Sequence, residues 1–251
     1  MESEKPAAPA RPAYALPEIR EKGAPSKAGE PQLADGRLWM QLQVYTDCDR
    51  PEAVVDAVRG SGLESAVYLD AHDPRGVAVL GMTEDPALWV GPWRDLQLSK
   101  AFQGLRRRPE MTMTGRTYGT GREPNLEFAL LKKPRATSLN PAWPWAVWYP
   151  LRRKATFATL DPQAQGRILH EHAMIGMAFG AADLAHDVRL ACHGLDAADN
   201  EFVIGLIGKD LHPLSFIVQE MRKTVQTSKY IRVLGPFFVG RAAWQSPAPP
   251  A

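Results

Sequence analysis

The feature of this chain that most constrains its fold is an order of strands and helices that occurs twice. Hydrophobic patterns over residues 38–118 predict β-α-β-β-α-β, and residues 142–243 give the same order. The two copies also share sequence, because LDAHDPRGVAVLGM at 69–82 and LDAADNEFVIGLIG at 195–208 agree at six of 14 positions. This repeat predicts an α+β fold in which two tandem ferredoxin-like (βαββαβ) halves form a dimeric α+β barrel.

Composition divides the 251 residues into four segments. Residues 1–36 hold six of the 22 prolines and have scarcely any apolar cluster, so they cannot bury enough surface to offset the entropy of ordering. We expect them to form a flexible leader, and we expect the Pro-rich residues 246–251 to form a flexible tail. The N-terminal half is then expected at 37–141 and the C-terminal half at 142–245.

The charge, the cysteines and the hydropathy argue against several classes of protein. Thirty basic and 28 acidic residues leave a net charge of +2, so no bulk attraction to nucleic acid or anionic lipid is expected. Two cysteines, Cys48 and Cys192, cannot build a disulfide framework and favour a reducing compartment. No run approaches the roughly 18 apolar residues that cross a bilayer, and the start MESEKPAAPARPA lacks a signal-peptide pattern. We therefore predict a cytoplasmic protein without a nucleic-acid or membrane partner.

A histidine on the apolar face of one helix is the first candidate for function. Asp161 and Pro162 are typical of a helix cap and first helical position, which fixes the phase of the residues that follow. At about 100° per residue, His172 falls on the apolar face and His170 points nearly opposite. The apolar stripe consists of Ala164, Ile168, His172, Ile175 and Phe179. Such an imidazole is either a hydrogen-bonded structural residue or a metal or cofactor ligand, and by itself it favours the structural role.

The strand predicted before this helix strengthens the case for a ligand. It reads WPWAVWYPLRRK over residues 143–154, so aromatic side chains and three cations lie beside the helix. Aromatic walls with cations at one edge suit a flat apolar ligand that carries carboxylates, and a porphyrin is such a ligand. The alternative is that the tryptophans fill the core between the sheets and the cations are a solvated strand end.

Five stretches of the second half carry a family resemblance. They are Tyr149-Pro-Leu-Arg-Arg, Glu171-His172-Ala-Met-Ile-Gly176, Gly194-Leu-Asp196, Met221-Arg222 and Leu234-Gly-Pro-Phe-Phe-Val-Gly240. In these stretches the chain resembles the chlorite dismutase and coproheme decarboxylase family, which are haem proteins with two ferredoxin-like halves per subunit. The resemblance covers residues 142–243, and the first half agrees mainly in topology and motif order.

The resemblance implies a haem site in the second half. It makes His172 the proximal ligand of the haem iron. It places Arg153 at a haem propionate, with Tyr149 and Arg152 nearby, and Phe157 falls where the family packs an aromatic ring against the macrocycle. The bound group would be haem b or coproheme, with a neutral imidazole on the iron. Family members form rings, commonly pentamers, so a homo-oligomer is expected.

The chain departs from the family in catalytic and supporting residues. Ala158 stands where coproheme decarboxylases have a tyrosine, so no radical relay from a propionate to the iron is evident. The carboxylate that often supports the proximal histidine aligns with Ile207, so that partner is missing as well.

The distal arginine of chlorite dismutases has no unambiguous match. Counting back from the Gly-Leu-Asp turn gives Asp187, whereas counting forward from His172 gives Ala185. Arg189 or His186 could reach the distal face if a bulge absorbed the difference. Because an arginine stabilises negative charge that develops on a bound oxygen species, we predict Arg189 as the catalytic residue.

Together these features predict a haem-dependent oxidoreductase that acts on a small-molecule oxidant. A peroxidase-like or haem-handling role ranks first, conversion of chlorite second, and decarboxylation third because of Ala158. The alternative is a non-catalytic α+β-barrel module for binding or assembly, whose haem site has decayed. The missing tyrosine and carboxylate favour that alternative, and the retained His172 and Arg153 oppose it.

Overall fold

The sheet of this protein closes on itself. The structure is a computed structural model that describes residues 15–247. Its strands are β1 (Glu21–Lys22), β2 (Leu33–Ala34), β3 (Trp39–Thr46), β4 (Ser65–Asp70), β5 (Val77–Thr83), β6 (Arg106–Arg107), β7 (Met113–Arg116), β8 (Trp145–Arg153), β9 (His186–Ala191), β10 (Phe202–Gly208), β11 (Ile231–Leu234) and β12 (Phe238–Gln245). Eight of them form a ring of antiparallel pairs in the order β8, β10, β9, β7, β3, β5, β4, β12 and back to β8. The predicted α+β fold class is thus confirmed.

The ring joins the two halves at two seams. β9 of the second half meets β7 of the first half through the pair Ala191 and Arg116. At the other seam β12 runs between β4 and β8. The apolar pattern of residues 233–239 predicts one strand, but Gly235, at φ +105°, and Pro236, which lacks an N–H, separate β11 from β12. β12 then continues to Gln245 along β4.

Alternation along the strands gives the barrel a packed interior. Trp148, for example, points inward with no exposed surface, whereas its neighbours Val147 and Tyr149 point outward. The largest interior side chains are Leu38, Met40, Leu42, Tyr68, Leu80, Met82, Met113, Trp148 and Phe238. Because side chains fill this interior, any binding site must lie outside the barrel wall.

Helices cover the outer face of each half, but they pack differently. They are α1 (Pro51–Gly60), α2 (Pro92–Gln97), α3 (Lys133–Ser138), α4 (Pro162–Ala181) and α5 (Leu211–Met221). α1 buries Val54, Val55 and Val58 against the first half. α4 is twice as long, yet none of its residues is fully buried. None of the helices within residues 15–247 is long and apolar enough to cross a membrane.

The second predicted helix of the first half is interrupted. The pattern after Pro86 predicts one helix as far as Leu105, but the structure has a short turn, α2 and a second turn instead. Gly91 separates the first turn from α2, and Pro92 supplies no N–H to continue a helix across that point.

The sequence repeat at 69–82 and 195–208 reflects the same local turn. Asp70 accepts a hydrogen bond from the His72 backbone N–H at 2.8 Å, and Asp196 accepts one from the Ala198 N–H at 2.8 Å. The connection between the two strands is longer in the second half, because β4 ends at Asp70 itself whereas residues 192–195 separate the end of β9 from Asp196. The shared residues therefore mark equivalent turns rather than equal strand lengths.

The predicted flexible leader at 1–36 requires a correction for its later part. β1 and β2 form a hairpin that packs on the first half. Glu21 accepts hydrogen bonds from Arg116 Nη1 at 2.6 Å and from the Gly119 N–H at 2.9 Å. Backbone hydrogen bonds join Lys22 to Gly121. Specific polar contacts hold this segment, and a composition argument about apolar burial does not detect them. Residues 1–14 of the leader and 248–251 of the tail lie outside the described residues.

Replacing Glu21 with alanine should loosen this hairpin. The carboxylate is 11% exposed and has three partners, of which Arg116 and Arg37 are charged, so its loss should lower the free energy of unfolding by about 1.5–3 kcal/mol. Thermal unfolding measures the loss, and limited proteolysis should show faster cleavage at 117–123. Glu18→Ala is the matched control, because Glu18 pairs only with the exposed Arg20. Equal stability of the two variants would contradict the structural role of the hairpin.

Candidate functional site

Three neighbouring strands bring a row of side chains to the outer face of the second half. Ile204 on β10 lies directly opposite Tyr149 on β8 and Arg189 on β9. Residues directly opposite in antiparallel strands share a face of the sheet. Tyr149 and Ile204 belong to the apolar cluster between the barrel wall, α4 and α5, so the row faces these helices.

α4 lies over this row in the phase that the sequence predicts. Asp161 caps the helix by accepting a hydrogen bond from the Ala164 N–H at 2.8 Å, and Pro162 opens it. His170 is exposed, whereas His172 is half-buried. We call the space between His172 and the row Tyr149, Ile204 and Arg189 the α4 cleft. No residue of α4 is fully buried, although Ile175 and Phe179 pack against the same apolar cluster as Tyr149 and Ile204.

The hydrogen bonds of Thr224 favour one tautomer of His172. The shortest acceptor contact of the Thr224 hydroxyl is the Met221 carbonyl oxygen at 2.8 Å, and Thr227 Oγ1 lies 3.3 Å away, whereas His172 Nδ1 lies 3.4 Å away. With its hydrogen donated to Met221, Thr224 Oγ1 accepts from Nδ1, and Nε2 then carries the lone pair. Nε2 has no hydrogen-bond partner within residues 15–247. This is the arrangement of a histidine ligand that is held through one nitrogen and binds through the other.

Burial keeps His172 neutral. It lowers the pKa of the imidazole, with a smaller contribution from the positive charge of Arg189; the negative charges of Glu171 and Asp187 act in the opposite direction. Glu171 accepts a hydrogen bond from the Val225 N–H at 2.9 Å and so ties α4 to the turn that carries Thr224. At neutral pH the Nε2 lone pair is free of a proton.

The position of Arg189 does not depend on a bulge. β9 and β10 keep one regular register from His186 to Ala191, and in it Arg189 and Asp187 face the α4 cleft. His186 points to the other face and stacks on Trp143 with ring centroids 3.6 Å apart. Ala185 is buried. Of the four residues that the sequence leaves open for the distal position, only Arg189 is both cationic and on the correct face.

Arg189 belongs to a charged group at the cleft. Its Nε lies 3.0 Å from Asp187 Oδ2, and Lys133 Nζ lies 2.8 Å from Asp187 Oδ1. Burial opposes the charge on each member, but the ion pairs outweigh it, so the pKa of Asp187 is lowered and that of Arg189 is raised. Within residues 15–247 the other N–H groups of the Arg189 guanidinium have no hydrogen-bond partner, so they can donate to a ligand.

The two arginines predicted near a carboxylate ligand are not equivalent. Arg153 lies on the same face as Tyr149, with its guanidinium carbon 4.6 Å from the centroids of Phe157 and Phe202 and its Nε 3.1 Å from Glu201. Arg152 is one residue earlier and points to the opposite face, where it pairs with Asp199 at 2.9 Å. The structure therefore brings Arg153 to the edge of the α4 cleft and leaves Arg152 out.

The aromatic residues also separate by face. Trp148 fills the barrel interior, as the alternative interpretation of the tryptophans expects. Phe157 is buried beneath Arg153 and makes an edge contact with Tyr230 at 5.5 Å between centroids, so it supports the arginine. Tyr149 stacks on Phe237 at 4.6 Å, and burial raises the pKa of its phenol. Tyr149 thus contributes a protonated phenol to the cleft.

The structure shows where the two residues that depart from the family pattern, Ile207 and Ala158, lie. Ile207 lies inside the barrel with no exposed surface, so no side chain at this position could support His172, and Thr224 has that place instead. Ala158 is exposed at the end of a short turn after β8. It presents only a methyl group.

Sequence reasoning missed Tyr118, which comes from the first half. Tyr118 follows the pair of Arg116 and Ala191 by two residues, and it lies near enough to Arg189 for the charge of Arg189 to lower the pKa of its phenol. Its ring lies 5.5 Å from Phe202. The alternating stretch MTMTGRTY at 111–118 predicts a strand. It does not show that this strand pairs with β9 of the second half.

Comparisons with known proteins agree on one family and one fold. The family model of chlorite dismutase matches residues 96–243. Among solved structures, a novel heme-binding protein from Thermus thermophilus is 19% identical, with a TM-score of 0.66 over 82% of this chain and 91% of that one. The chlorite dismutase from Candidatus Nitrospira defluvii in complex with imidazole is 13% identical, with a TM-score of 0.61 over 84% and 93%. No curated protein sequence matches the chain significantly.

Proposed function

The chain belongs to the chlorite dismutase family, and on that premise we propose that it is a haem-binding oxidoreductase with His172 as the iron ligand. The observation that carries the proposal is the state of His172. Its Nδ1 lies 3.4 Å from Thr224 Oγ1, its Nε2 has no hydrogen-bond partner within the described residues, and the helix that carries it lies over the barrel wall with none of its residues fully buried. Haem is the cofactor that the family implies, and a neutral histidine such as His172 can bind its iron.

The residues of the α4 cleft fit a porphyrin. Ile175, Phe179 and Ile204 are apolar and only partly buried, so they leave surface for a flat apolar ring to cover. Arg153 supplies a cation at the cleft edge for a propionate, although Glu201 already pairs with its Nε. The proposal covers haem b and coproheme alike.

A bound haem would supply the redox chemistry by which a peroxide-like or chlorite-like oxidant is reduced. His172 would hold the iron from the α4 side. Arg189 would stabilise negative charge on a ligand at the barrel side, because its remaining N–H groups are free while Asp187 fixes its Nε. Peroxidase-like activity remains first in our ranking, chlorite conversion second and decarboxylation third, since Ala158 offers no phenol.

The proposal is tested by titrating the purified protein with ferric haemin. We expect saturable binding of one haem per chain with a Soret band distinct from that of free haemin. The second candidate is a non-catalytic module, which is favoured by the pairing of Arg189 with Asp187 and of Arg153 with Glu201. An absence of saturable binding would contradict the proposal and leave that module.

Replacing Thr224 with valine tests the tether of the proposed ligand. Valine has nearly the same shape but no oxygen to accept the Nδ1 hydrogen, so we expect haem affinity to fall about 10–100-fold, as for other partners of metal-bound histidines. Thr224→Ser keeps the hydroxyl and should bind haem nearly as well as the wild type. Equal haem affinity in both variants would show that Thr224 does not orient His172.

A further inference from the structure

Resting on the proposed function, we propose that Tyr118 is a further ligand-contacting residue of the same site. Its phenol, supplied by the first half, would donate a hydrogen bond to a small anion held beside Arg189 on the barrel side of the α4 cleft. The ligand class is a halide or a small oxyanion.

The seam between the halves places Tyr118 at the site. β7 and β9 meet at Arg116 and Ala191, and Tyr118 follows two residues after this pair. Tyr118 lies near enough to Arg189 for the charge of Arg189 to lower the pKa of its phenol, and its ring lies 5.5 Å from Phe202 on β10. Beyond Arg189 the row continues through Ile204 to Tyr149. The barrel side of the α4 cleft therefore carries, in order, a phenol, a guanidinium, an aliphatic side chain and a second phenol.

The Tyr118 hydroxyl is available as a donor. It has no hydrogen-bond partner in the part of the chain that the structure describes, although its ring packs on Phe202. Burial raises the pKa of the phenol in spite of the opposing charges of Arg189 and Arg153, so the hydroxyl keeps its proton at neutral pH. A half-buried phenol usually finds an acceptor. An anion beside Arg189 would supply one.

The loop that carries Tyr118 is held in place from two sides. Glu21 accepts from the Gly119 N–H at 2.9 Å, which links the loop to the β1–β2 hairpin. Glu123 accepts from both the N–H and the hydroxyl of Thr120. Because its neighbours are fixed, Tyr118 is positioned before any ligand binds, which lowers the entropy lost on binding.

The donors beside Tyr118 favour an anion as the ligand. Lys133 and Arg189 both pair with Asp187. The charge of Glu123 also acts on Arg189 and Tyr118, but its carboxylate already accepts hydrogen bonds from Thr120 and from the Arg122 N–H. A neutral phenol and a cationic guanidinium side by side form a pair of donors for an anion.

The test is the affinity of the ferric haem complex for fluoride, which depends on hydrogen-bond donors near the iron. We would compare the wild type, Tyr118→Phe and Tyr68→Phe by absorption titration. Tyr68 is the matched control, because it lies inside the barrel away from the cleft. We expect the fluoride dissociation constant to rise about tenfold in Tyr118→Phe, the effect of one hydrogen bond to a charged ligand. Both haem affinity and fluoride affinity should be unchanged in the control Tyr68→Phe.

Each outcome decides between the two proposals. If all three proteins bind haem and Tyr118→Phe binds fluoride as tightly as the wild type, the inference about Tyr118 is overturned and the proposed function stands. If Tyr68→Phe weakens fluoride binding equally, the effect is not local and the inference also fails. If the wild type does not bind haem, both proposals fail.

Discussion

His172→Ala should abolish axial ligation of haem and lower the affinity for haem by more than about 100-fold. Loss of a supporting residue alone typically costs 10–100-fold, and this substitution removes the proposed donor atom itself. The side chain is only half-buried, so α4 should still fold and the melting temperature should change little. Haemin titration, followed at the Soret band, measures the affinity.

His170→Ala is the matched control for this prediction. It lies on the same helix, two residues away, but its side chain is exposed and faces away from the cleft. We expect His170→Ala to bind haem with wild-type affinity. Similar losses in both variants, or similar retention in both, would show that His172 has no special role in binding.

Trp148→Ala should cause the largest loss of stability. The indole is completely buried in the barrel interior, and truncation of a buried tryptophan or phenylalanine costs about 3–5 kcal/mol. This is a large share of the 5–15 kcal/mol by which native domains are usually stable. The melting temperature should fall by roughly 6–20 °C, since 1 kcal/mol corresponds to about 2–4 °C at this size.

The packing around Trp148 leaves little room for relaxation. A Cβ at Gly205 would lie 2.6 Å from the indole ring, so the ring lies directly against the backbone of β10. Trp145→Ala is the control, because Trp145 is on the outer face of the same strand and only partly buried. Equal losses in the two variants, measured by thermal unfolding, would contradict the assignment of inner and outer faces.

The fold could be predicted from sequence because the repeat and the periodicity agree. The apolar stretches SAVYLD at 65–70 and VAVLGM at 77–82 predict two strands, and the structure has strands at Ser65–Asp70 and Val77–Thr83. Local signals also fixed the phase of α4, since the Asp161 cap and Pro162 determine which side His172 faces. The β1–β2 hairpin was missed because polar contacts and not apolar burial hold it.

Only part of the site could be predicted from the sequence. Successive side chains of a strand point to opposite faces of the sheet, so a shift of one residue decides whether a side chain faces the site. Arg152 and Arg153 are equally basic, yet only Arg153 shares the face of Tyr149. Arg189 faces the cleft because β9 keeps its register with β10, which no count of residues could show. Tyr118 depends on a contact between halves that are distant in sequence.

The most direct test of the central claim is the coordination of the haem iron in the purified complex. With the histidines labelled with ¹⁵N, electron–nuclear double resonance on the ferric complex should detect one imidazole nitrogen from the protein in the wild type and in His170→Ala. In His172→Ala that signal should be lost. An unchanged nitrogen signal in His172→Ala, or a wild-type complex without any protein nitrogen on the iron, would contradict the account.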